Sequence, residues 1–352
     1  MLYLTDKDIP YYKTGFWKQR WNPGEGCKPV SVPGISFDKP LPPLPKPARL
    51  PSAQRKEEIK VPPFDIQEIP NAMRLEGMPI AARLMERWFS GILNYAPTDD
   101  DLAAEINQNG EPYPPGMYDT TTIKMDWVLK FRRAQEKYND LVNNAIHRDS
   151  TLKPLRDKLM PVRDAMMPLD IWDLCKGSMS VLHRHFHFQY AGVGSSLSQK
   201  IDEFMESQFQ RNGIPDDLTG ALGSFNFYAA PADVKFEYAK REAVITSVYV
   251  YIKDSYDFTD KPGGISQYLG HWSSKGVIVV PYNGLIGQLN TPSLYLPYPV
   301  ARGDVRAKGN IYYPVHNSDF RQWAIKHQRG GDFIIFSDRK RCRLRTPIRI
   351  KL

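Results

Sequence analysis

The chain has 352 residues, 41% of them hydrophobic and 24% charged, with a formal net charge of +8. That length exceeds one ordinary core and sets two domains as the expectation, while no apolar run approaches the roughly 20 residues that span a bilayer. The three cysteines, Cys27, Cys175 and Cys342, are too far apart for a disulfide framework or a cysteine zinc site.

The first residues lack a basic start followed by an apolar stretch, so no Sec signal is read there. The expectation is synthesis in the cytoplasm and export, where it occurs, without a cleaved signal. Residues 1–66 carry Pro40-Leu-Pro-Pro-Leu-Pro-Lys-Pro47 and Val61-Pro-Pro-Phe64. Proline removes backbone donors and fixes φ, which favours extended polyproline conformation. Tyr11, Tyr12, Phe16, Trp17 and Trp21 are too many aromatics for a plain linker, so the segment reads as an arm along the body or a partner; a disordered tail is the alternative.

A helical domain is expected over 67–222. Met73, Ile80, Ala81, Leu84, Met85, Trp88 and Phe89 recur at helical spacing, Pro79 suits a first turn, and Gly91 and Pro97 end the stretch. A second helix is expected from about Thr121 to Ile146, with Arg132, Arg133, Glu136 and Lys137 on its solvated side. Further helices are expected over Leu152–Leu174, interrupted by Pro161 and Pro168, and over Leu197–Gln210.

From residue 223 to 352 the texture turns to β. Ser224–Ala229, Asp233–Tyr238, Ala243–Ile252, Val277–Val280, Ile311–Val315, Asp332–Phe336 and Leu344–Ile350 are rich in β-branched and aromatic residues. One helix interrupts them, Phe320 to Gln328, capped by Asn317 or Ser318 and stopped by Gly330-Gly331. The fold class is therefore α+β: a Pro-rich arm, a helical middle domain, and a C-terminal antiparallel sheet or partial barrel with one short helix.

The most informative stretch is Lys253 to Trp272, which follows the most β-prone strand. It groups Asp254, Asp257 and Asp260 around Tyr256, with His271 beyond a Gly-Gly loop. Neighbouring carboxylates raise one another's pKa unless a cation neutralises them. Mg²⁺ suits such oxygen ligands, a histidine can move a proton, and together these are the parts of metal-assisted phosphoester cleavage. Asp, Ser, Thr, Gly and Pro are also turn residues, so a polar turn is the competing reading.

Asp254-Ser-Tyr256-Asp257-Phe258 after a Val/Tyr-rich strand resembles the D-x-Y-D core of the colicin M family. The resemblance implies Mg²⁺-dependent cleavage of the lipid-linked peptidoglycan precursor at the membrane surface. Asp254, Tyr256 and Asp257 would then lie in the active site, and Asp254 and Asp257 would hold the metal. The chain departs from that pattern at Thr259, where the family has Asn, and in its histidine: His271 lies beyond a longer loop and is followed by Trp272 instead of Arg. Arg321, on the expected short helix, is the candidate for the missing guanidinium.

Most of the chain also resembles an uncharacterised proteobacterial family found near type VI secretion and polymorphic-toxin genes. That likeness rests on Met78-Pro-Ile-Ala-Ala-Arg-Leu-Met-Glu-Arg-Trp-Phe89, Gln267-Tyr-Leu-Gly-His-Trp272, and Asp319-Phe-Arg-Gln-Trp323 followed by Gly330-Gly-Asp-Phe-Ile-Ile-Phe-Ser-Asp338. It implies an interbacterial toxin acting in the target-cell periplasm, with an immunity protein and a secretion-system component or adaptor as partners. A non-enzymatic effector, membrane-disrupting or an adaptor, is the second class; its Met73, Met78, Met85, Met160, Met166 and Met167 would bind partner or lipid, or simply pack.

Two further motifs remain open. His183, His185 and His187 would share one face on a strand, a zinc constellation, whereas on a helix only His183 and His187 align. Arg341, Arg343 and Arg345 alternate as a cationic strand face, suited to a phosphate-bearing partner or to guarding a sheet edge. A nucleic-acid-directed toxin is the weakest of the readings.

Overall fold

The computed structural model describes residues 64–194, 214–260, 264, 266–278, 301–302, 305–306 and 313–352. The expected arm up to residue 63 and the helix expected over 197–210 lie outside them. The described residues between 64 and 278 and those from Tyr313 to Leu352 belong to one compact unit, and 301–302 and 305–306 to a second. Within the second unit, Ala301–Arg302 and Val305–Arg306 pair as a two-stranded antiparallel ladder.

The first unit opens with α1 (Ile69–Leu75) and α2 (Pro79–Ser90), the latter with Pro79 in its first turn as the spacing predicts. Ala81, Ala82, Leu84, Met85, Trp88 and Phe89 form the buried stripe of α2. Short α3 (Asp99–Ala104) and β1 (Tyr118–Asp119) follow. The helix expected over 121–146 is divided into α4 (Met125–Val128) and α5 (Arg132–Asn143). That expected over 152–174 is α6 (Asp149–Leu159), then β2 (Leu169–Asp170) and α7 (Ile171–Leu174). Next come α8 (Met179–Phe186), β3 (Gln189–Val193) and α9 (Asp217–Leu222).

The β-rich part is built on two long strands, β4 (Phe225–Glu237) and β5 (Glu242–Tyr256). Two strands expected at 224–229 and 233–238 are one, because the register shifts at Pro231 and again at Asp233. A bulge lets a residue without an N–H sit inside a strand. Then come β6 (Tyr268–Ser273), β7 (Gly276–Ile278), β8 and β9 (the ladder of the second unit), β10 (Tyr313–His316), α10 (Asn317–His327), β11 (Phe333–Phe336) and β12 (Lys340–Lys351).

The main sheet has seven strands. β5 is paired along one side by β4, and along the other by β12 and then β11 end to end. β2 and β3 pair with β4, all antiparallel, and β1 joins β11 in parallel. A three-stranded antiparallel sheet has the order β10-β6-β7. One hydrophobic cluster runs from Phe64 and Ile69 through Trp88, Leu141 and Leu182 to Tyr251, Phe333 and Ile350. The boundary drawn near residue 222 therefore does not divide this core. Strands from the helical part complete the sheet because β4 and β5, long and apolar on both faces, need partners on either side.

Candidate functional site

β5 carries the acidic cluster at its C-terminal end. Side chains alternate along a strand, so Asp254 and Tyr256 share one face, opposite Ile335 and Phe333 of β11, while Lys253 and Ser255 take the other. Burial pushes the Asp254 carboxyl well above the usual carboxylate range, and the charge of Asp257 adds to the shift. Burial also raises Asp257, against the backbone N–H of Thr259 and the positive charge of Arg321, which both favour its ionised form. Asp254 and Asp257 are thus close enough to interact, and Arg321 of α10 acts on the second.

Arg321 is anchored by a carboxylate that the sequence did not single out. Its Nη2 donates to Asp332 Oδ2 at 2.6 Å, and Trp88 Nε1 donates to Asp332 Oδ1 at 2.8 Å. Asp332 is fully buried. Its backbone N–H donates to Asn94 O at 2.7 Å, and Asn94 Nδ2 donates to Asp332 O at 2.9 Å. Burial lifts Asp332 to about 7, with Asp257 pushing the same way and Arg321 opposing. The guanidinium stands 4.4 Å from the centre of the Tyr95 ring. Its Nη1 and the hydroxyl of buried Tyr113 have no hydrogen-bond partner among the described residues. Tyr113 lies within electrostatic reach of Asp257, Asp332 and Arg321.

The other expected site residues are placed differently. Tyr256 is a core residue: its ring stacks on Phe333 with centroids 5.1 Å apart, and its hydroxyl meets Met85 Sδ at 3.6 Å. His271 is buried in β6, opposite Pro314 and Ile278, and its Nδ1 meets the hydroxyl of Tyr268. The structure brings His271 to Tyr268 and not to the two carboxylates. The loop after Asp257 is tied to the start of α10: Asn317 Nδ2 donates to Thr259 O at 3.2 Å and Ser318 N to Ser266 Oγ at 2.9 Å. The cap of α10 is His316, in a reciprocal box with Asp319, where Asn317 or Ser318 was expected.

On the opposite face of β5, Lys253 pairs with Glu105 at 2.9 Å, and Glu105 accepts from the Tyr118 hydroxyl at 2.6 Å. His183 and His187 align on α8 as the helical spacing predicts, their rings stacked at 4.4 Å. Burial first, then His187, lowers His183 to about 3, and burial lowers His187 as well. Among the described residues no group of three or more His, Cys, Asp or Glu side chains is arranged to hold a metal ion. No helix of the described residues is long and apolar enough to cross a membrane.

A family model described as a family of unknown function, DUF6402, matches residues 64–352. The chain belongs to DUF6402. No curated protein and no solved structure matches it. The matched span of this DUF6402 chain takes in α1, the whole main sheet and every residue around Arg321 and Asp332. Trp88, Asn94, Tyr113 and Asp332 escape sequence reading because they are scattered over more than 240 positions. The nearest signal was a single acid, Asp332, wedged between Gly331 and the apolar run Phe333–Phe336.

Proposed function

We propose that this DUF6402 chain is an antibacterial effector whose C-terminal β segment hydrolyses a phosphoester, with the lipid-linked peptidoglycan precursor as substrate. The observation that carries the reading is the pair of half-buried carboxyls, Asp254 and Asp257, both held above the usual carboxylate range, the second within reach of the positive charge of Arg321. Carboxyls held above their ordinary pKa next to a fixed cation are what general acid–base chemistry on a phosphoester requires. The likeness of Asp254–Phe258 to the colicin M core supplies the substrate class.

In this reading Asp257 accepts or returns the proton of the attacking water. Arg321, held in place by Asp332, faces the developing charge on the phosphoryl oxygens. Asp254 and Asp257 fit Mg²⁺ by donor type, since that ion takes one or two carboxylates and keeps waters, and their mutual repulsion is what a cation relieves. When bound, the ion would neutralise the phosphate. Tyr256 supports the site from the core, and His271 belongs to the neighbouring sheet. Action in the target-cell periplasm, an immunity protein and a secretion-system component or adaptor complete the proposal, on the strength of the likeness to a toxin-associated family.

The test is growth inhibition by the chain directed to the periplasm of a sensitive cell. Asp257→Ala is expected to abolish it while the protein stays folded by circular dichroism. Full toxicity of that variant would reject the hydrolase and leave the non-enzymatic effector.

A further inference from the structure

We infer that a groove across the main sheet, far along β5 from Asp254, binds a phosphate group. The groove has a volume of about 430 Å³ and is lined by Asp233, Thr246, Ser247, Arg341 and Arg343. Its floor is a cross-strand row: Asp233 of β4, Ser247 of β5 and Arg343 of β12 are register partners, so their side chains share a face. The register steps between Asp233 and Val234 and between Arg343 and Ile348 open the sheet there, leaving Thr246 exposed.

Ser247 is 5% exposed in the middle of β5, followed by the apolar and aromatic run Val248–Ile252. Its hydroxyl makes no hydrogen bond among the described residues, although it forms the floor of the groove. Asp233 is occupied by Arg341, which also reaches Asp170 at 3.4 Å. Arg343 is exposed and has no carboxylate partner among the described residues. The Arg343 guanidinium, with no carboxylate partner, and the Ser247 hydroxyl therefore share one face of the groove. That donor set suits a tetrahedral oxyanion better than a planar carboxylate, which the fork alone satisfies.

A long nucleic-acid backbone fits poorly. Most basic residues of β12 are paired with acids of other elements: Arg349 with Glu237 and Glu242, Lys351 with Glu242, Lys340 with Asp126. Such a surface leaves Arg343 and Arg345 without a carboxylate partner among the described residues, a short basic patch rather than a long cationic track. The ligand class is a small phosphorylated molecule or a phosphate headgroup, which share the recognised group.

The experiment titrates the full chain with inorganic pyrophosphate by calorimetry, and sediments it with phosphatidylcholine vesicles with and without phosphatidic acid. Arg343→Gln is expected to weaken binding by about tenfold or more, the worth of a lost charged hydrogen bond, and Ser247→Ala by less. Arg132→Gln, on the exposed side of α5, should bind as the native chain does. Binding of pyrophosphate alone assigns a soluble ligand, and Arg343-dependent binding to the acidic vesicles assigns a headgroup. Native-like affinity in Arg343→Gln, or no saturable binding of either probe, overturns the inference. Asp257→Ala should bind normally, so failure here and failure of the hydrolase are separable.

Discussion

Asp332 illustrates how one side chain can hold several elements. It joins α10 through Arg321, α2 through Trp88 and the segment after α2 through Asn94. Removing one member of a buried pair leaves the other charge unpaid, so Asp332→Ala should destabilise the fold by about 3 kcal/mol or more, measured by urea unfolding. Asp332 also sets a pH dependence. Its folded-state pKa is raised to about 7, above the roughly 3.9 of an unfolded aspartate. The folded state therefore binds more protons between those values, and stability falls as pH rises from about 4 to 7. Asp254 and Asp257, also raised, act with the same sign. The thermal midpoint should decline over that range, and Asp332→Asn should flatten the decline.

Elements here meet where side chains are absent. Gly330 ends the turn after α10 with φ +89°, and a Cβ there would stand 2.7 Å from the Trp88 ring and 2.9 Å from Ala324 Cβ. Its N–H donates to Gly91 O at 3.0 Å, so α2 and the turn before β11 touch backbone to backbone. Gly330→Ala should cost about 1–3 kcal/mol, from the left-handed backbone and the clash together, read by chemical denaturation. At the same scale, Arg133 corrects the solvated face expected for α5. It forks onto Asp216 at 2.6 and 2.7 Å and onto Thr219, pinning the start of α9.

Across the whole molecule, the helical and β-rich parts share one core. A fragment of 223–352 would lose β1, β2 and β3, together with α2, whose Met85 and Trp88 cover Tyr256 and Phe258. It is expected to show no cooperative near-ultraviolet transition on heating, whereas 64–352 should melt in a single step. A folded, cooperatively melting 223–352 would restore the two-domain division.

Much of the architecture is legible from local pattern. The stripe of α2 and the long β5 follow from periodicities of 3.6 and 2.0, whereas the helix that aligns His183 with His187 and the edge position of β12 are each one of two readings the sequence leaves open. The cluster of Asp254 and Asp257 is legible for the same reason, because its members are three residues apart on one segment. What periodicity cannot carry is partnership between distant segments. That Arg321 is aimed by Asp332 and Trp88, that Tyr256 faces Met85 and that His271 sits with Tyr268 depend on which strands pair and in what register. Those choices are made by burial of the shared core, a property of the whole chain and not of any short stretch of it.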